Sequence, residues 1–313
     1  MSERMSRRDF LTWAVAAGAA AVSGTALELG SHRKDGESDQ STETPSVENS
    51  AVKESVLAKK EHKETNKKFP FGAFLDEEID RLSQSLNQQE KKKLLSGLAS
   101  IQKKEKEKIY DRRFSKSEKQ VEEYFSRFLE LREELRGAFD NADPLKLIPR
   151  SVLCGMIGME SGGNNVVNKD TGAAGIWQIN LITARHMGLK VDKTVDERMD
   201  LEKSSSAAVR YLLDLYERFG RQWGLALVAY AGGPGKLTER IRGHFKLDSK
   251  TDFTPDLFSK KNINAVTLYR KFHDQHSVQY PFGAQAMAGW IGELLKPKEK
   301  YESGEKSVLV NLC

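Results

Sequence analysis

Apolar side chains recur at helical spacing over much of the chain: Leu75, Ile79, Leu82 and Leu86, then Leu94, Leu95, Leu98 and Ile101, then Val121, Tyr124, Phe125, Phe128, Leu135 and Phe139. Positions three and four apart share one face of a helix, so residues 69–142 are expected to form two or three charged amphipathic helices, a hairpin or small bundle. Past residue 144 the chain carries fewer charges and more Gly and Ala, which sets a domain boundary near 142–144. There 149–160 reads as a helix, apolar over a broad side through Val152, Leu153, Met156, Ile157 and Met159 and stopped by Gly162 and Gly163. Turn residues fill 164–175, and helical patterning resumes over 176–187, 204–219 and 223–231. Strand signals are weak throughout, so the expected fold class is mainly α.

The ends of the chain lack this periodicity. Residues 12–26 are uncharged and rich in Ala and Gly, and they follow Ser6, Arg7, Arg8, Asp9, Phe10 and Leu11. A basic segment, an apolar segment and small residues in that order read as an export address, and the paired arginines before Phe-Leu resemble a twin-arginine signal over 1–30. An exported protein of the periplasm or cell envelope is the expectation. Residues 31–68 are mostly Glu, Lys, Ser, Thr and Asp, with too little apolar surface to offset the entropy of ordering, and read as a disordered linker. The tail 276–313 carries no assignment.

Charge and cysteine content exclude several function classes. The 313 residues hold 50 Lys and Arg against 45 Asp and Glu, for a net charge of +5. That balance supports nucleic-acid binding only with a clustered basic face, and the sequence shows none. Two cysteines, Cys154 and Cys313, cannot by themselves make a disulfide framework or a four-ligand zinc site; Cys154 reads as a buried thiol, and a bridge between the two depends on geometry. His273 and His276 lie one turn apart, a spacing more often found on a surface than around a metal, so no metal or cofactor is expected. Ser204, Ser205 and Ser206 read as a helix cap. The helical module 69–142 has two readings: it docks an envelope protein partner, or it packs on the domain that follows. The mixed charge of its polar faces favours packing.

Candidate chemistry centres on Glu160. A glutamate ending an apolar helix is partly desolvated, which raises its pKa, and a carboxyl group kept protonated near neutral pH can donate to a leaving-group oxygen. Taken alone, such a residue is more often an ordinary surface contact. Asp170, the nearest second carboxylate, reads as a turn former.

The segment 160–184, E-S-G-G-N-N-V-V-N-K-D-T-G-A-A-G-I-W-Q-I-N-L-I-T-A, lifts Glu160 above that alternative. It resembles the catalytic domain of lytic transglycosylases of the soluble-lytic-transglycosylase type, which has a lysozyme-like fold. Glu160 and Ser161 are followed by Gly172, Ala173, Gly175, Gln178, Thr183 and Ala184 at that family's spacing. Downstream, Asp196, Arg198 and Asp200, then Ala207, Ala208 and Tyr211, then Trp223, Ala229 and Tyr230 look like the membrane-bound lytic murein transglycosylase D branch.

The resemblance implies a lysozyme-like domain over 143–275 that acts on the glycan strands of peptidoglycan. It implies that Glu160 protonates the oxygen between N-acetylmuramic acid and N-acetylglucosamine. The carboxylate then takes the C6 hydroxyl proton, leaving a 1,6-anhydro end. One carboxylate suffices for this, whereas glycosidases commonly need two. It further implies that Ser161 holds the glutamate and that Gln178, Tyr230 and Tyr269 contact substrate. Two positions depart from the family: Ala231 stands where Ala-Tyr-Asn-Ala-Gly has Asn, and Gly163 where an aromatic is usual. The Ala231 departure keeps open a non-catalytic cell-wall-binding protein, and a hydrolase related to goose-type lysozyme is the nearest enzymatic alternative.

Overall fold

The computed structural model describes residues 71–295; the expected signal, the linker, Cys313 and the end of the tail lie outside them. In chain order the helices are α1 (Phe74–Leu82), α2 (Gln88–Arg113), α3 (Glu118–Glu130), α4 (Arg132–Ala142), α5 (Arg150–Glu160), α6 (Leu181–His186), α7 (Leu201–Arg218), α8 (Trp223–Gly232), α9 (Pro234–Phe245), α10 (Pro255–Lys260), α11 (Ala265–Phe272) and α12 (His276–Leu294). Among the described residues, β pairing is confined to isolated bridges such as Ala174 with Ile179, so the chain is mainly α as expected. No described helix is long and apolar enough to cross a membrane.

Local chemistry fixes the helix starts. Asn87 opens α2 with a capping box: its side chain accepts the Glu90 N–H at 2.9 Å, and its own N–H donates to Glu90 Oε2 at 3.2 Å. Asp200 opens α7 by accepting the Lys203 N–H at 2.9 Å. The cap expected at Ser204–Ser206 is therefore corrected: α7 begins earlier, and Ser204 and Ser205 are buried inside it. The helix expected over 176–187 is shortened too. Ile176–Asn180 is a turn held by the Ala174–Ile179 bridge, and α6 starts only at Leu181.

Among the described residues four helices precede α5 where two or three were expected, because the run 118–142 breaks at Leu131, whose ψ is 8°. Their apolar stripes are not covered by one another alone. α2 lies against α12, and α4 lies against α7. The compositional change at 142–144 is thus a change in solvation, with packing continuous across it, and one hydrophobic core runs from Phe74 to Ile291.

At the centre α5 packs on α12, the most extensive helix pair in the fold. Every residue of α5 from Arg150 to Met159 is buried. A Cβ on Gly155 would lie 2.2 Å from the Ala284 carbonyl oxygen, so only glycine admits this backbone approach. α12 buries residues on all sides, from Val278 through Phe282, Ala284 and Met287 to Ile291, the signature of a helix enclosed by others. Residues 276–294, left unassigned by the sequence, are therefore part of the core.

Candidate functional site

Glu160 is the last residue of α5 and keeps partial exposure, unlike the ten residues before it. Its Oε1 accepts the hydroxyl of Tyr280 at 2.6 Å. Tyr280 lies one turn before Ala284 in α12, so the tight α5–α12 crossing at Gly155 also sets this contact. Burial pushes the Glu160 carboxyl up to about 7, outweighing the lowering by the Tyr280 hydrogen bond and by the Arg113 guanidinium. Near neutral pH the group populates both protonation states and so can either give or take a proton. The hydroxyls of Tyr280 and Tyr230 are driven well above their ordinary value, first by burial and then by the Glu160 charge. Both remain neutral donors.

Tyr230, from α8, stands beside this pair: its ring centroid is 6.5 Å from that of Tyr280 and 5.9 Å from that of Tyr211. Its hydroxyl donates to the Trp177 carbonyl at 2.8 Å, so the hydroxyl is committed to the loop. Trp177 is itself buried, its indole N–H donating to Ser205 Oγ at 3.1 Å. Arg198 completes the loop's anchorage. It pairs with Asp196 at 2.7 Å and donates to the carbonyls of Gly172 at 2.7 Å and Ile179 at 3.1 Å.

Two expected roles need correction, those of Ser161 and Tyr269, and that of Gln178 is narrowed. Ser161 Oγ donates its one hydrogen to the Ile176 carbonyl at 2.8 Å and accepts the Gly163 N–H at 3.2 Å. It ties the end of α5 to the loop and has no hydrogen left for the Glu160 carboxylate. Gln178 sits in left-handed geometry (φ 46°), and its amide nitrogen donates to Gly175 at 2.8 Å and Val166 at 3.0 Å. The loop takes both amide hydrogens, so only the carbonyl oxygen is left for a ligand. Tyr269 is buried, and its hydroxyl donates to Glu105 Oε1 at 2.5 Å while its ring packs on Phe282. This hydroxyl is committed to a core carboxylate, and the tyrosine bonded to Glu160 is Tyr280.

The departures also acquire geometry. A Cβ on Gly163 would lie 2.8 Å from both N and Cα of Phe128 in α3, so no aromatic fits there. Ala231 is exposed, directly after Tyr230. Asp170 lies in an exposed turn whose N–H donates to Asn168. Among the described residues, no group of three or more His, Cys, Asp or Glu is placed to hold a metal.

Besides Tyr280, the sequence reading missed Arg113 and Tyr124, which bond the last turn of α5. Tyr124 falls in the apolar series of α3, where its spacing marks only one face of an amphipathic helix. Arg113 is one of many charges on α2, and nothing in its local pattern sets it apart.

Residues 139–253 match the family described as the transglycosylase SLT domain. Over 95 residues, 30% of this chain, the sequence is 34% identical to the membrane-bound lytic murein transglycosylase D of Escherichia coli K12, of which that stretch is 21%. The same figures hold for the protein of that name in Escherichia coli O6:H1. The chain thus spans about a fifth of the length of the curated relatives it matches. The family match includes Glu160, Gln178 and Tyr230 and ends before Tyr280.

Proposed function

We propose that this protein is a peptidoglycan lytic transglycosylase, a lyase that cleaves the bond between N-acetylmuramic acid and N-acetylglucosamine and leaves a 1,6-anhydro end. The observation that carries the reading is the Glu160 carboxyl: at the edge of the core, raised to about 7 and bonded by Tyr280, within a segment that matches the SLT domain. The glycosidic oxygen takes the Glu160 proton as its bond to C1 of the muramic acid breaks. The carboxylate so formed takes the proton of the C6 hydroxyl, and O6 closes on C1. No water is consumed, and Glu160 ends protonated as it began. Tyr280 stabilises the transient carboxylate, since a hydrogen bond to a charged acceptor is stronger than one to a neutral acceptor. General acid–base action of this kind contributes about 10²- to 10⁴-fold.

The same reading takes residues 1–30, outside the described structure, as a twin-arginine export signal, and sets the enzyme in the periplasm or cell envelope. The test is mass analysis of purified sacculi incubated with the wild type and with Glu160→Gln. Anhydro-muropeptides from the wild type alone are expected. Reducing ends would select a hydrolase, and binding to sacculi without any release would select a cell-wall-binding protein.

A further inference from the structure

We propose that the helices ahead of the SLT-matched segment complete the catalytic site, with Arg113 of α2 and Tyr124 of α3 acting as positioning residues that hold the last turn of α5 and so aim Glu160. The inference rests on the lytic transglycosylase reading and adds to it residues outside the matched segment 139–253.

The C-terminal turn of a helix leaves carbonyls without intrahelical donors. In α5 the N–H groups of Ser161 and Gly162 both turn back to the Ile157 carbonyl, each at 2.9 Å. The Gly163 N–H goes to Ser161 Oγ. The carbonyls of Gly158 and Met159, the two residues before Glu160, therefore need donors from elsewhere. Tyr124 supplies one, its hydroxyl donating to the Gly158 carbonyl at 2.8 Å. Arg113 supplies the other, Nη2 donating to the Met159 carbonyl at 3.0 Å. The two side chains are joined, Arg113 Nη1 donating to Tyr124 Oη at 2.7 Å, so the clamp is a closed triangle with two fixed points on the catalytic turn.

The turn glycines are shaped to receive α3. A Cβ on Gly162 would lie 2.8 Å from Tyr124 Cε1, and one on Gly163 would meet the Phe128 backbone. The space in front of the Glu-Ser-Gly-Gly turn is thus filled by this chain's own α3. Arg113 adds a charge effect. Its cation favours the negative end of α5 and draws the Glu160 carboxyl downward against burial. The ionisable groups that bear on Glu160 are Tyr280 from α12, Tyr230 from α8, Tyr124 from α3 and Arg113 from α2.

The test compares the full chain with Arg113→Gln, Arg113→Lys and Tyr124→Phe on a soluble glycan of alternating N-acetylglucosamine and N-acetylmuramic acid, with folding followed by circular dichroism. Tyr124→Phe keeps the ring but removes the donor to Gly158. The expected result is a fall in kcat of about 10- to 100-fold with KM nearly unchanged, the size of loss that small misplacements of a catalytic group produce. Arg113→Gln also moves the high-pH limb of the rate profile upward, because the cation that favours the Glu160 carboxylate is gone. Arg113→Lys restores the position of that limb while leaving kcat low. A merely structural role would lower stability and move neither the limb nor the ratio of kcat to KM. Folded variants with wild-type kcat and pH profile would overturn the proposal, whereas a wild type that forms no anhydro ends would overturn the functional reading beneath it.

Discussion

Two glutamates with carboxyls raised to about 7 sit in different parts of the fold, and only one has the surroundings of a catalyst. Glu78 of α1 is 3% exposed, and both its oxygens accept the Gly224 N–H, at 3.2 Å each, at the start of α8. Burial raises it, against the lowering by the Arg81 charge and the backbone N–H groups of Gly224 and Trp223. Glu160 ends a helix rather than capping one, keeps partial exposure, and is held by a tyrosine hydroxyl, with an arginine bonded to the Met159 carbonyl just before it. A raised carboxyl therefore does not by itself mark a reactive site. The partners distinguish the two: backbone N–H groups in a closed interior make a structural cap, whereas neutral hydroxyl donors at an accessible edge suit proton transfer.

Substitution separates the pair most widely in turnover. Glu160→Gln is expected to remove release of anhydro-muropeptides by at least about 10²-fold, whereas Glu78→Gln retains it within about threefold. Loss of turnover in a well-folded Glu78→Gln protein would erase the distinction. Tyr280→Phe should lower kcat by roughly tenfold, the scale of one charge-assisted hydrogen bond. It should also shift the high-pH limb upward, since the Tyr280 bond holds the Glu160 carboxyl below where burial alone would put it. A reduced rate with an unmoved limb would mean that Tyr280 only packs.

In stability the two glutamates act alike. A glutamate whose folded value lies above its ordinary 4.5 contributes stability that is fully present below about 4.5 and is lost as pH rises through about 7. For Glu78, nearly inaccessible to water, the loss is on the order of 3 kcal/mol. Glu78→Gln keeps an oxygen for the Gly224 N–H and titrates nothing, so its stability should be flatter between pH 5 and 8. Urea unfolding at the two pH values reads the difference. Parallel declines in wild type and variant would remove Glu78 as the cause.

How far the sequence disclosed this arrangement follows from the kind of signal each part carries. α3 and α7 have one wet face and one dry face, so their periodicity is plain in Val121, Phe125 and Phe128 and in Ala208, Leu212 and Leu215. α12 is buried all round and has Pro281 inside it, which removes both the periodic contrast and the local signature of a helix. That is why a boundary fell at 275 and Tyr280 was missed. Glu160 was legible because it ends an apolar helix and opens the segment 160–184, both of which are local patterns. The Arg113–Tyr124 clamp was not, because it joins residues more than 30 positions apart through hydrogen bonds that no local pattern specifies.

The smallest expected effect is at Ala231, where the resemblance has an asparagine. Ala231 is exposed at the end of α8, next to Tyr230. Replacing an exposed side chain that fills no core space should change stability by no more than about 0.5 kcal/mol. An amide there would supply the donor and acceptor that alanine lacks, beside the tyrosine ring at the edge of the Glu160 site. Ala231→Asn should therefore lower KM for the soluble glycan by a few-fold at unchanged kcat, because a contact made equally in ground and transition states acts on binding alone. A rise in kcat instead would mean that the amide engages the sugar only as the bond breaks. No change in either constant would place the sugar's contacts on Tyr230 and on the Gln178 carbonyl instead.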